Sequence, residues 1–143
     1  MISTMKKLFI HSFIPLFLGL FIYLGFRQKN ILLFKWLNDL SLSNYAYSIR
    51  RIVNPNEIIY ENIFVFNLPD GLWVYSFTSV MLIVWQGNVS RDNILYVTIP
   101  LILAIVSELG QFFGLIMGTF DVFDLLFYIL AFILSFIFCY VKK

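Results

Sequence analysis

Two short groups of carboxyl and amide side chains lie beside long apolar runs in the second half of the chain. Glu108 and Gln111 are three residues apart within one run, and Asp121 and Asp124 are three residues apart where the next run begins. Residues at this spacing share one face of a helix. An ionisable side chain at membrane depth costs about 2.5–3.5 kcal/mol on insertion scales, so it needs a partner, a cavity or a function. These four residues are therefore the first candidates for a polar site.

Several kinds of chemistry suit this set. Carboxyl groups that come together can bind a hard cation through oxygen, relay protons or contact a polar head group. Structural roles are the alternative: Glu108 can be a protonated carboxyl that bonds a neighbouring helix, and Asp121 and Asp124 can be the N-cap and third residue of a helix. The single histidine, His11, lies early in the first apolar run. It can be a buried hydrogen-bonded group, an interfacial group, or a group with a proton or ligand role. A nitrogen-ligated zinc site near the carboxyls is therefore not expected.

Three glycines recur in the same part of the chain. Gly110, Gly114 and Gly118 are spaced by four residues, and on a continuous helix this spacing gives a stripe of small residues that lets another helix approach closely. The stripe would lie roughly opposite the face that carries Glu108. We therefore expect the glycines to pack against a helix while Glu108 and Gln111 face the interior of a bundle.

The composition is that of an integral membrane protein. Of the 143 residues, 61% are hydrophobic and only 13% are charged, whereas soluble domains carry about a quarter charged residues. A helix needs about 20 apolar residues to cross a bilayer, and four runs approach this length. They cover roughly residues 8–26, 72–85, 94–117 and 122–141. The sequence predicts a single all-α membrane domain, residues 1–143, built as a bundle of four transmembrane helices.

The long connection between the first two runs, residues 27–68, is too polar to span. Within it, Leu33, Leu37 and Leu40 fall on one helical face, which predicts a helix lying in the membrane interface. Further along, Arg50 can contact lipid phosphates or remain solvated. Asp70 precedes the second run and is predicted to be its N-cap.

The net charge and the cysteine content limit which classes of partner and which kinds of metal site are expected. The net charge of +2 is small and its basic residues are scattered, which excludes nucleic acid as an expected partner. Membrane lipids are the expected partners, and assembly with further copies or with a larger membrane complex stays open. Cys139 is the single cysteine, so neither an intrachain disulfide nor a thiolate metal site can form. Basic residues divide evenly between the two predicted sides; because the first helix often sets orientation, we predict cytoplasmic termini.

The pattern of the second half resembles that of a known family. The run Ser107–Gln111 contains a Glu-x-x-Gln motif, and Phe120–Asp124 contains an Asp-x-x-Asp motif. Both are similar to the signature of the VanZ-like family of small polytopic bacterial membrane proteins, over roughly residues 68–131. The resemblance implies a multi-pass protein of the bacterial plasma membrane and a role in the cell envelope. The family takes its name from a member implicated in reduced susceptibility to the glycopeptide antibiotic teicoplanin.

The chain departs from the family pattern at three places. Gly118-Thr119 stand where the family has an arginine, Tyr128 stands at an asparagine position, and Ala131 stands at a glycine position. The basic partner of the aspartates and part of the family's polar set are therefore replaced.

These observations predict an envelope membrane protein that binds a lipid or a lipid-linked amphiphile. Glu108, Gln111, Asp121 and Asp124 would contact the polar part of that ligand, without a catalytic residue and without a required cofactor. The same residue types also suit an intramembrane enzyme that acts on lipid phosphates with a magnesium ion on these carboxylates. A small transporter, a pore or a structural subunit of a membrane complex is compatible with them as well.

Overall fold

The computed structural model describes residues 4–27, 32–53 and 63–140, and all regular structure in these ranges is helical. The all-α prediction is therefore confirmed for the described part of the chain. Within these ranges six helices follow one another: α1 (Thr4–Phe26), α2 (Leu32–Asp39), α3 (Ser43–Val53), α4 (Ile63–Val84), α5 (Ile94–Phe112) and α6 (Val122–Cys139). Residues 28–31 and 54–62 of the predicted interfacial connection and residue 141 of the predicted last run lie outside the described ranges.

Three of these helices, α1, α5 and α6, are long and apolar enough to cross a membrane. Large apolar side chains point away from the bundle on each of them, as at Phe17 (62% exposed), Leu103 (61%) and Ile137 (66%). Polar side chains such as Ser12 and Ser135 are instead buried. An apolar exterior around a partly polar interior suits a hydrocarbon solvent. The chain is therefore a helical membrane protein.

Helix α4 occupies the centre of the bundle, where it contacts α1, α5 and α6. It begins at Ile63 rather than at Leu72, and Pro69 lies inside it. A proline removes one backbone hydrogen bond, which membrane helices tolerate where neighbouring groups shield or replace it. Here α1 lies close by at Gly19, where a Cβ atom would be 3.2 Å from the Pro69 oxygen. The predicted N-cap role of Asp70 is therefore wrong, because this residue is in the helix interior.

The region between α1 and α4 contains a helical hairpin. Helices α2 and α3 are joined by a tight turn in which Ser41 has a φ of 58°. The hairpin packs on the end of α1 through a cluster of buried residues, Leu24, Phe34 and Ala46. The predicted helix in this stretch corresponds to α2. The last part of the predicted connection, from Ile63 onward, belongs to α4 instead.

Helix α5 ends at Phe112 instead of continuing to Met117. Gly114 and Gly118 follow the helix with φ values of +68° and +147°, which glycine adopts without the steric cost that other residues have. The predicted glycine stripe is therefore wrong. Gly110 faces Ile116, which lies after the end of α5, because a Cβ atom on Gly110 would lie 2.7 Å from the Ile116 Cδ1 atom. A Cβ atom on Gly114 would have no neighbour within 4 Å.

Candidate functional site

Glu108 connects the end of α5 to the start of α6. One of its carboxyl oxygens, Oε1, accepts a hydrogen bond of 2.6 Å from the backbone N–H of Asp121. The side chain is only 1% exposed. Asp121 is the residue that caps α6. The bond to Glu108 therefore holds the start of α6 against the end of α5, across the turn at residues 113–120. Its first role is thus positional, which is close to the structural role that the sequence left open for it.

Asp121 caps helix α6, which is the structural role that the sequence left open for it. Its Oδ1 atom accepts a 2.9 Å hydrogen bond from the backbone N–H of Phe123. Asp124 lies in the first turn, where its backbone N–H donates to the Asp121 carbonyl oxygen at 3.2 Å. The positive end of a helix dipole favours both carboxylates. The second carboxyl oxygen of Asp121 is directed to a partner from another helix.

That partner is Asn67 of α4, which the sequence did not single out. Its amide Nδ2 donates to Asp124 Oδ1 at 2.7 Å and lies 3.3 Å from Asp121 Oδ2. The side chain is 1% exposed, and its Oδ1 atom has no hydrogen-bond partner among the described residues. The available signal was an amide directly after an apolar run. An unpaired buried amide oxygen costs free energy, so this atom marks a place where a hydrogen-bond donor would be stabilised.

Arg27 supplies a positive charge from the end of α1. Its guanidinium forms a 3.0 Å ion pair with Asp70 and donates a 2.9 Å hydrogen bond to the Phe66 carbonyl oxygen. It also lies over the rings of Tyr23 and Phe66, 5.2 Å and 5.0 Å from their centroids. The side chains of the ion pair are 24% and 23% exposed. No local pattern in the sequence connects these two residues.

The residues just described form a single polar cluster, made of Arg27, Asn67, Asp70, Glu108, Asp121 and Asp124. Asp70 interacts electrostatically with Asp124 and Glu108 as well as with Arg27, and Arg27 also acts on Asp124. The cluster therefore draws on α1, α4, α5 and α6 at one end of the bundle.

Gln111 lies in the last turn of α5, and its side chain packs against the turn that follows the helix. Its side-chain oxygen lies so close to Gly118 that a Cβ atom there would clash with it. Gly118 and Gln111 thus fit each other, and this fit shapes the turn between α5 and α6. Tyr128 and Ala131, the two further departures from the family pattern, are buried with Val74 between α4 and α6.

The polar cluster is arranged for hydrogen bonding. Among the described residues, no group of three or more histidine, cysteine, aspartate or glutamate side chains is arranged to hold a metal ion. The Oε1 atom of Glu108 and the Oδ1 atom of Asp121 accept from backbone N–H groups. The cluster thus offers hydrogen-bond acceptors and negative charge, which suit a ligand with N–H or O–H donors.

His11 lies apart from this cluster. Its Nδ1 atom is 2.7 Å from the Tyr75 hydroxyl oxygen, and its ring stacks on Phe138 with centroids 6.0 Å apart. It belongs to a π-helical turn, Phe9–Phe13, just before Pro15. A proline cannot donate a backbone hydrogen bond, which accounts for the wider turn at this point. His11 is thus a hydrogen-bonded group, as one of the alternatives from the sequence has it, and it is partly buried.

The class of protein that this arrangement defines is a helical membrane protein with a polar cluster inside one end of its bundle. No family model, curated protein or solved structure matches the chain. What it binds must therefore be argued from the cluster itself.

Proposed function

We propose that the chain is a multi-pass protein of the bacterial plasma membrane, of the VanZ-like kind, that binds the polar head group of a lipid or lipid-linked amphiphile. The observation that carries this proposal is the polar cluster. It joins four helices, and its members Asp121, Asp124, Arg27 and Asp70 are only partly buried. A ligand that remains in the bilayer can bring its head group to such a site while its chains stay in hydrocarbon.

The proposal includes a fourth crossing by α4. At 1.5 Å per residue its 22 residues extend about 33 Å, which is the thickness of a hydrocarbon core. Its polar residues, including Asn67, Ser76 and Thr78, are buried in the bundle and so would not meet lipid. In the same proposal the α2–α3 hairpin lies in the interface and the termini are cytoplasmic. The polar cluster then faces the outer leaflet.

The charge of the cluster indicates the kind of head group. One arginine stands against four carboxyl groups, and Arg27 is already paired with Asp70. A purely anionic head group would be repelled, whereas a primary ammonium can donate three hydrogen bonds to carboxylate and amide oxygens. We therefore assign the site to an amine-bearing head group, such as that of phosphatidylethanolamine.

The residues have distinct roles in this binding. Asp124 and Asp121 contact the ammonium, and Asn67 orients both carboxylates through its Nδ2 atom. Glu108 positions Asp121 through its backbone bond and does not touch the ligand. Arg27 holds Asp70 through their 3.0 Å ion pair. An intramembrane enzyme that acts on lipid phosphates stays the alternative proposal, because one or two carboxylates such as Asp121 and Asp124 can hold a magnesium ion together with the phosphate of a substrate.

Native mass spectrometry of the purified protein tests this proposal. Phosphatidylethanolamine and phosphatidylcholine with identical chains are offered in equal amounts, since only the first has ammonium N–H donors. We expect the wild type to retain phosphatidylethanolamine preferentially and Asp124→Asn to lose this preference by about tenfold, because a hydrogen bond to a charged group contributes about 1.5–3 kcal/mol.

The matched control is Asp92→Asn, which removes an equal charge from an exposed aspartate in the loop between α4 and α5. This variant should bind as the wild type does. Equal retention of both lipids by the wild type, or an unchanged preference in Asp124→Asn, would rule out an ammonium site at the cluster.

The envelope role has its own test in cells. A teicoplanin-sensitive Gram-positive host would express the wild type or an equally abundant triple variant, Glu108→Gln, Asp121→Asn and Asp124→Asn. The proposal predicts protection by the wild type and none by the variant. Absence of protection by an abundant wild type would remove the resistance role and leave lipid binding to be judged by mass spectrometry.

A further inference from the structure

A groove of about 580 Å³ runs along one face of α1, and the side chains that line it are all apolar. Phe17 and Phe21 lie in its middle. Gly19, between them in sequence, faces α4, where a Cβ atom would be 2.9 Å from Trp73 Nε1. In a helix with 3.6 residues per turn, positions two apart lie about 160° from each other. The groove is therefore on the side of α1 that faces away from α4.

The α2–α3 hairpin closes one end of this groove. Ile49 of α3 and Leu24 of α1 line that end, and the hairpin packs there through Phe34 and Ala46. From this end to Phe9 the groove follows fifteen positions of α1, which correspond to about 22 Å of helix. In a bilayer a long apolar groove below an overhanging hairpin takes up hydrocarbon chain, because water there would lack hydrogen-bond partners.

The hairpin that closes the groove carries a net positive charge. The hairpin carries Lys35, Arg50 and Arg51 against the single acidic residue Asp39. The Arg50 guanidinium donates hydrogen bonds to two carbonyl oxygens at the end of α1, at 3.2 Å to that of Leu24, a groove residue, and at 2.5 Å to that of Arg27. It also lies 5.7 Å from the centroid of the Phe34 ring. Basic residues at the membrane surface attract anionic lipids. The charge thus complements a phosphate, and not the ammonium assigned to the polar cluster.

We infer that this groove binds one acyl chain of an anionic phospholipid, with the phosphate against the basic residues of the α2–α3 hairpin. The inference does not rest on the function proposed for the polar cluster. The groove lies on the face of α1 that is turned away from α4, and the two sites contact different groups of a lipid, a phosphate in one case and an ammonium in the other. Each can therefore fail without the other.

The test uses native mass spectrometry of the full chain in nonionic detergent. Phosphatidylglycerol and phosphatidylcholine with identical chains are offered in equal amounts. We expect one phosphatidylglycerol to be retained per chain, in clear excess over phosphatidylcholine. Equal retention of the two lipids would overturn the inference.

Two variants examine the two halves of the site. Phe17→Trp with Phe21→Trp fills the groove, and Lys35→Gln with Arg51→Gln removes exposed charge while the Arg50 contact with Leu24 stays in place. Each variant should reduce the ratio of lipid-bound protein to lipid-free protein by about tenfold. An unchanged ratio in the first variant would refute the chain-binding groove, and an unchanged ratio in the second would refute the phosphate contact.

Matched controls carry the same chemical changes elsewhere. Ile129→Trp with Ile133→Trp alters an exposed apolar face of α6, and Lys6→Gln with Arg91→Gln removes two charges from exposed positions outside the hairpin. Both should retain phosphatidylglycerol as the wild type does. If the groove-filling pair unfolds, Phe17→Trp alone repeats the measurement with the smaller change. Displacement of the lipid by millimolar inorganic phosphate would identify a free-phosphate site and overturn the assignment to a lipid.

Discussion

The polar cluster and the apolar groove are built in opposite ways. The cluster brings together residues from α1, α4, α5 and α6 through directed bonds, such as the 2.7 Å contact from Asn67 to Asp124. The groove is almost entirely one face of a single helix, closed by a neighbouring hairpin. Directed bonds among buried groups make a structure sensitive to single changes, whereas an exposed apolar face is tolerant. The cluster should therefore support the fold, and the groove should not.

The largest effect is expected for Glu108→Ala. This change leaves the Asp121 N–H without its buried acceptor and opens a cavity beside the turn, which should lower the free energy of unfolding by about 3 kcal/mol. Thermal unfolding in a fixed detergent measures it. Glu108→Gln is the control, since its side-chain carbonyl can still accept the bond, and it should lose less than half as much. Equal losses in the two variants would show that the hydrogen bond is not what stabilises the turn.

The ion pair should give the next largest effect. Arg27→Gln leaves Asp70 without its cation and should cost about 2 kcal/mol, less than a fully buried pair would, because both side chains are partly exposed. Adding Asp70→Asn removes the uncompensated charge. The double variant should therefore be more stable than Arg27→Gln alone, as a double-mutant cycle of unfolding free energies would show. Strict additivity would mean that the two residues do not interact.

The turn between α5 and α6 allows a smaller, graded comparison. Gly118→Ala introduces a side chain at a φ of +147° against Gln111, while Gly114→Ala meets strain at +68° but no neighbour within 4 Å. We expect losses of about 2 and 1 kcal/mol respectively. Both are measured by unfolding under identical conditions. A larger loss at Gly114 would contradict the close fit of Gln111 and Gly118.

The smallest effect is expected at the groove. Phe17→Trp with Phe21→Trp should change the free energy of unfolding by no more than about 0.5 kcal/mol, because both side chains are exposed on the outer face of α1,. Thermal unfolding is measured on the same protein preparation that is used in the lipid-retention experiment. A loss as large as that of Glu108→Ala would abolish the distinction between the two regions.

Parts of this structure followed from local patterns. The apolar runs predicted the helices α1, α5 and α6, and Asp121 was recognisable as an N-cap by its position before a run. The end of α5 was not predicted, because Leu115 to Met117 continue the apolar pattern while the backbone turns at glycines with positive φ. The start of α4 was also not predicted. Pro69 and Asp70 resemble a helix boundary, but the helix continues through them.

The sequence by itself determined that this is an all-helical membrane protein and which carboxyl groups lie near membrane depth. Both properties depend on hydropathy and spacing within short stretches of chain. The tertiary structure alone decided what those carboxyl groups contact. Arg27 and Asp70 are 43 positions apart, and Asn67 and Asp124 are 57 positions apart. Their pairing is set by how the helices pack around α4, where each buried polar group must find a partner or carry the cost of having none.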